Sequence, residues 1–272
     1  MRLRFVCMAL FLSVLLSSCG DLLEIGLNAY SDMRDADEDL VFYYPFNGNT
    51  NDASGNGNNG IVGGNVTYSF ANDRFGELGT TLSNSNDTSY LDSSWGLDFN
   101  LTYAFSVNFW VYYPNFVSEP DVRYIFGVSS ESYPPDGVRF YLSKNDSTGE
   151  MKFVMNSTGL STDEDSLTFN SLWSDFQDAN WHMVTIVHQA GTGADKLSLY
   201  VDGVKRTPSS TLSNLSAVYL EGSIYLLAGR QLNNSTAIGS TEYTCIDDFR
   251  FYSRAIDSIE IDALYHENGY DL

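Results

Sequence analysis

Cysteine is nearly missing from this sequence: three in 272 residues, at positions 7, 19 and 245. A disulfide framework therefore cannot supply the stability, and the chain has to build a hydrophobic core. Positive charge is scarce too, with 14 Lys and Arg against 35 Asp and Glu and a formal net charge of −21. Such a surface repels nucleic acid and anionic lipid headgroups and raises the local concentration of divalent cations. There are only three histidines, which argues against a Ser-His-Asp hydrolase. Beyond the first residues, no run of eighteen apolar residues occurs that would cross a bilayer as a helix. What the chain does have is aromatic side chains, 14% of its residues, with charged residues at only 18%. That balance supports a packed core and argues against disorder.

The N-terminus reads as processing signal. "MRLRFVCMALFLSVLLSSC" carries Arg2 and Arg4, an apolar stretch from Phe5 to Leu16, and small residues before Cys19. The basic start and short apolar stretch describe a secretory signal over residues 1–18. Its last four residues, "LSSC", resemble a bacterial lipobox, with Cys19 as the lipidated residue. Losing the two arginines takes the formal charge from −21 to −23. Residues 19–39, ending in a dense acidic run, read as a lipidated cysteine and an extended tether; a short helix over Leu22, Leu23 and Ile25 is the alternative. Cys7 leaves with the signal, so Cys245 is alone in the domain and reads as a small buried hydrophobe.

From residue 40 to 272 the pattern is that of one all-β domain. "LVFYYPF" (Leu40–Phe46) reads as a buried strand, and "YAFSVNFWVYY" puts Phe105, Val107, Phe109 and Val111 on one face. "RYIFGVS", "VRFYLS", "MKFVMN", "WHMVTIVHQ", "KLSLYVDGVKR", "SIYLLAGR" and "CIDDFRFYS" continue the series. The Asp202-Gly203 pair predicts a hairpin turn. The one helix expected is "DSIEIDALYH", with Asp257 as N-cap and Glu260 three residues on, as in a capping box. About a dozen short strands with almost no helical periodicity describe an antiparallel sandwich or barrel.

Four fragments in order give a resemblance to laminin G-like, concanavalin A-like domains. They are "LVFYYPFNGNTNDASGNGNNG", "FSVNFWVYYP", "WHMVTIVHQ…LSLYVDGV" and "IDDFRFYSRAIDSIEIDALY". The resemblance implies an antiparallel two-sheet jelly roll with a short C-terminal helix and neighbouring first and last strands. It also implies a structural calcium ion between the Asn/Gly loop and the last strand. Ca²⁺ takes six to eight oxygens, and Asp52, Asn56 and Asn58 offer side-chain oxygens while Gly57 and Gly60 let carbonyls turn inward. Strict alternation in "CIDDFRFY" puts Asp247 with Phe249 and Phe251, where an uncompensated carboxylate is costly, and Asp248 with Arg250. The expected ligands are thus Asp52, Asn56, Asn58, Gly60 and Asp247; a plain polar turn is the alternative.

The same fold hosts glucanases and lyases, so activity has to be argued from residues. Retaining glucanases need two carboxylates about 5–5.5 Å apart on one strand. The nearest string, "EIDALYHE" (Glu260–Glu267), falls in the expected helix, and "DEDS" (Asp163–Ser166) falls in an irregular stretch. His182 and His188 share a strand face but lie about 20 Å apart, too far for one ion. His182 is expected to make a structural hydrogen bond and His188 a surface one. The domain therefore reads as a non-catalytic binder of a glycan or an extracellular protein; a polysaccharide-degrading enzyme of the same fold, such as a lyase working through Tyr and Arg, is the alternative. Tyr133 with Asp136 in "SSESYPPDG", and Trp173 with Asp175 in "NSLWSDFQDANW", are the candidate ligand residues; covering the sandwich edge is the alternative for both. Because Gly20 follows Cys19, an outer-membrane lipoprotein is the expected location.

Overall fold

The computed structural model describes residues 39–63, 69–84, 90–93, 97–100, 103–113, 122–129, 137–145, 148–156, 165–170, 173–176, 178–191, 193–209, 219–226 and 244–267. Cys19, Tyr133 and Asp136 lie outside them, as does the side chain of Trp173. The described strands form two eight-stranded antiparallel sheets. In the first, the order is β14 (Val204–Arg206), β13 (Leu197–Val201), β12 (His182–His188), β7 (Phe105–Tyr112), β16 (Thr244–Tyr252), β4 (Leu78–Asn84) and β3 (Ser69–Asn72). There β1 (Leu40–Tyr44) also pairs β16, so the first and last strands are neighbours. The second sheet runs β11 (Asp165–Asn170), β10 (Thr148–Asn156), β9 (Gly137–Asn145), β8 (Val122–Ser129), β15 (Tyr219–Leu226), β5 (Tyr90–Asp92) and β2 (Ile61–Gly63), with β6 (Leu97–Asn100) paired to β15.

Alternation sends Phe105, Val107, Phe109 and Val111 of β7 into the core, where each is buried. Phe42 stacks on Phe249 and Phe251 across the β1–β16 pair, and Phe249 stacks on Phe109. Burying a phenylalanine removes 150–250 Å² from water, and offset rings add about 0.5–1.5 kcal/mol per pair. Cys245 is buried and free.

The outer face of the first sheet carries a second core. Tyr43, Trp110, Met183, Val187 and Tyr252 pack there against Ile256, Ile261 and Leu264. The last two belong to α1 (Ser258–Tyr265), which closes this face. Its N-terminus is the expected capping box: the Asp257 side chain accepts from the Ile259 and Glu260 N–H groups, and Glu260 accepts from the Asp257 N–H. Arg254 forms an ion pair with Glu260, which locks the corner before the helix. At the other chain end, the Asp39 carbonyl accepts from the Ser253 N–H at 2.9 Å.

Candidate functional site

The Asn/Gly loop has a definite job at the edge of β1. One edge of β1 pairs β16, and no described strand continues the other. The loop takes that place. The Ala53 N–H donates to the Tyr43 carbonyl at 2.8 Å, and the Tyr43 N–H donates to Asp52 Oδ1 at 2.9 Å. Asp52 Oδ1 also accepts from the Ser54 N–H, and Oδ2 from the Asn58 N–H, each at 2.9 Å. Asn56 Nδ2 donates to the Leu40 carbonyl at 2.6 Å, and Asn58 Nδ2 to that of Val41 at 2.8 Å. An unpaired strand edge is a template for aggregation, and this loop covers it with side-chain amides and one carboxylate. Burial alone would raise the Asp52 carboxyl, but the backbone donors of Tyr43, Ser54 and Asn58 together with the Ser54 side chain outweigh it and hold it below its ordinary range. Gly60 closes the loop where a Cβ would meet Leu91 Cδ1 at 2.8 Å.

Asp247 lies elsewhere than alternation predicts. It pairs with Trp110, whereas Arg250 pairs with Asn108, so two residues of β16 oppose one of β7. This is a β-bulge, and Asp248 within it adopts a positive φ of 49°. The extra residue reverses the phase: Phe249 and Phe251 still face the core, but Asp247 joins Trp110 on the outer face. There it is 3% exposed, and among the described residues its one hydrogen-bond donor is the Asp248 N–H at 3.0 Å. Burial, then the carboxylates of Asp248 and Asp73, push it up to about 8, against the pull of Arg74.

Asp248 is compensated where Asp247 is not. Arg74 Nη2 lies 3.0 Å from Asp248 Oδ2, and Arg74 Nη1 donates to the Glu267 carbonyl at 3.1 Å. The Arg74 guanidinium is held between the rings of Phe75 and Trp110, 4.3 and 4.5 Å from their centroids. Tyr43 donates its hydroxyl to Asp248, and buried Arg250 pairs with Glu267 at 2.8 Å over the Tyr43 ring. Of the two partners open to Asp248 from the sequence, Arg250 or a group from a neighbouring strand, Arg250 lies 4.0 Å away and Arg74, beside β3 and β4, is closer at 3.0 Å.

The five expected calcium ligands thus divide between the edge of β1 and the outer face of β16. Among the described residues, no group of three or more His, Cys, Asp or Glu is placed to hold a metal ion. Asp52 spends both oxygens on N–H donors, and Asn56 and Asn58 turn amide N–H groups to carbonyls. The loop residues therefore serve the β1 edge, and Asp247, buried with the Asp248 N–H as its donor among the described residues, is a carboxylate that a cation would compensate.

The histidines differ from each other. His182 makes the expected structural contacts, with Nδ1 2.8 Å from Asp202 Oδ2 and Nε2 2.9 Å from Asp178 Oδ1. His188 is not at the surface as expected: it is fully buried, stacked on Phe105, with its ring nitrogens 3.1 and 2.9 Å from the carbonyls of Tyr103 and Gly191. Burial lowers its pKa. Trp173 and Asp175 share a short 3₁₀ turn, Trp173–Phe176. Asp175 is half-buried and pairs with Arg206 Nη2 at 2.8 Å, linking this turn to β14. Neither Arg74 nor Arg206 stands out in the sequence, because the partners lie 174 and 31 positions away.

Residues 83–262 match a laminin G-type family model described as the concanavalin A-like lectin/glucanases superfamily. The chain belongs to that family. Superfamily folds are also found among solved structures. The botulinum neurotoxin serotype D ligand-binding domain, solved in complex with N-acetylneuraminic acid, is 14% identical with a TM-score of 0.62. The match covers 86% of this chain and 52% of that one. The binding domain of Paraclostridial Mosquitocidal Protein 1 is 18% identical with a TM-score of 0.57, over 85% of this chain and 52% of that one. The chain therefore spans about half the length of these structures, and the likeness is one of fold. No curated protein sequence matches it significantly. As a superfamily member it is a two-sheet jelly roll of the lectin type, with α1 over the outer sheet face. Among its described residues, no helix is long and apolar enough to cross a membrane.

Proposed function

We propose that this chain is a cell-envelope lipoprotein whose concanavalin A-like domain binds carbohydrate without catalysis. The observation that carries the non-catalytic reading is the placement of the nearest glucanase-like carboxylates. Glu260 caps α1 and pairs with Arg254, and Glu267 pairs with Arg250. Both acids are spent on guanidinium groups at a helix, away from the one-strand arrangement a retaining hydrolase needs. The ligand class is supported by membership of a lectin-type superfamily and by the sialic acid bound to the similar neurotoxin domain. The turn bearing Trp173 and Asp175 is the proposed contact, with the ring stacking on a sugar face and the carboxylate accepting from hydroxyls.

A glycan array probed with the domain tests this, with Trp173→Ala and Asp175→Ala expected to lower retention at least about tenfold, on the order of 1.4 kcal/mol. Retention of no glycan, together with capture of a protein partner, overturns the carbohydrate reading in favour of a protein-binding surface module. Anchoring is proposed through lipid on Cys19 in the outer membrane. Calcium is proposed only at Asp247, as a structural ion: added Ca²⁺ should raise the melting temperature, and Asp247→Asn should abolish that rise. An unchanged melting temperature across Ca²⁺ and EDTA removes the ion from the account.

A further inference from the structure

His182 stands between two carboxylates from different segments. Asp202 comes from the tip of the β13–β14 hairpin, where it occupies φ 52° and also accepts from the Met183 N–H at 2.9 Å. Asp178 comes from the segment that follows the Trp173–Phe176 turn, and it is itself braced by Asn180 N and Nδ2 at 3.0 and 2.7 Å. A neutral imidazole has one N–H and one lone pair, so one of its two nitrogens would face a carboxylate with no proton between them. Only the imidazolium donates to both. The ring is partly desolvated and meets Phe176 edge-on at 5.3 Å, which shields the pairing from water.

We propose that His182 is a cationic latch that ties the Trp173–Asp178 segment to the Asp202–Gly203 hairpin tip and releases it on deprotonation. The charged groups facing the ring are Asp178 and Asp202; β7 presents apolar Val111 opposite it, and the Tyr265 hydroxyl of α1 lies within the field of Asp202. A second tie, the ion pair of Asp175 with Arg206 at 2.8 Å, joins the same segment to β14 without involving His182. Burial alone would lower the pKa of His182, but the two carboxylates outweigh it and raise it above the ordinary imidazole value. Asp178 is correspondingly lowered to about 2, chiefly by its hydrogen bond to His182. The sign follows from linkage: the latch is fully closed below the imidazole's ordinary value and lost as pH rises through the folded one. Because the segment carries Trp173 and Asp175, the regulatory consequence rests on the binding reading above: ligand retention falls as the latch opens.

The test has two independent arms on the whole chain. Ring ¹⁵N shifts, assigned with His182→Gln, follow protonation from pH 5 to 9, and chymotryptic cleavage between Leu172 and Phe176 follows the opening. The expected result is a His182 midpoint above 6.5, with cleavage rising through the same midpoint by at most about tenfold per unit of elevation. Asp178→Asn, a change at an exposed side chain, lowers the midpoint and opens the segment at lower pH. A midpoint at or below 6.5, or cleavage that is flat across the titration, overturns the latch. Glycan retention that Trp173→Ala leaves unchanged at every pH overturns the binding assignment instead, while pH-dependent cleavage still supports the latch.

Discussion

Replacing Asp52 with Ala separates two roles for that carboxylate. In the structure it accepts three backbone N–H groups, from Tyr43, Ser54 and Asn58. A hydrogen bond to a charged group is worth about 1.5–3 kcal/mol net, but the Ser54 and Asn58 donors lie on a half-exposed loop where water replaces much of the loss. The Tyr43 donor belongs to a buried residue and has no such substitute. We therefore expect a loss of about 3 kcal/mol for Asp52→Ala and roughly half that for Asp52→Asn, which keeps one acceptor oxygen. For a domain of this size the Ala change should lower the melting temperature by about 6–12 °C. Urea unfolding in Ca²⁺ and again in EDTA gives the measurement, with the same loss expected in both. A loss within 0.5 kcal/mol, or one that vanishes in EDTA, would refute the edge-capping role and restore Asp52 as a metal ligand.

Phe249→Ala removes a ring buried between Phe42 and Phe109 and should cost about 3–5 kcal/mol in chemical denaturation, with the m-value unchanged. Asp257→Ala deletes the acceptor for two N–H groups at the start of α1 and should cost about 1 kcal/mol, read from the same curves. Gly60→Val places branched carbon against buried Leu91 and should cost about 1–3 kcal/mol by overpacking; a neutral result would show that the loop can move away. Cys19→Ser should abolish palmitate labelling and release the chain from the membrane fraction; retention in that fraction would exclude lipid as the anchor.

Much of the fold is legible locally. The alternation in β7, the Asp202-Gly203 hairpin and the capping box at Asp257 each depend on spacings of two to four residues, and each is found where those spacings put it. The Asn/Gly loop was legible as a built loop but not in its purpose. A carboxylate among amides has the same composition whether it holds an ion or caps a strand edge, and the contacts to Tyr43, Leu40 and Val41 appear only once the chain is folded. Asp247 was misplaced because alternation counts one residue per step, and the bulge at Asp248 inserts one more. His188 was misplaced because the carbonyls that satisfy it, from Tyr103 and Gly191, come from loops with no sequence mark.

By itself, the sequence determined the strand-rich class, the acidic surface and the single capped helix, since those follow from composition and short-range periodicity. Tertiary structure alone decided which charges meet: Arg74 with Asp248, Arg206 with Asp175, and His182 between Asp178 and Asp202. The reason is physical. Side-chain period is set by the local backbone, whereas the neutralisation of a buried charge depends on which distant segment the sheet order brings beside it.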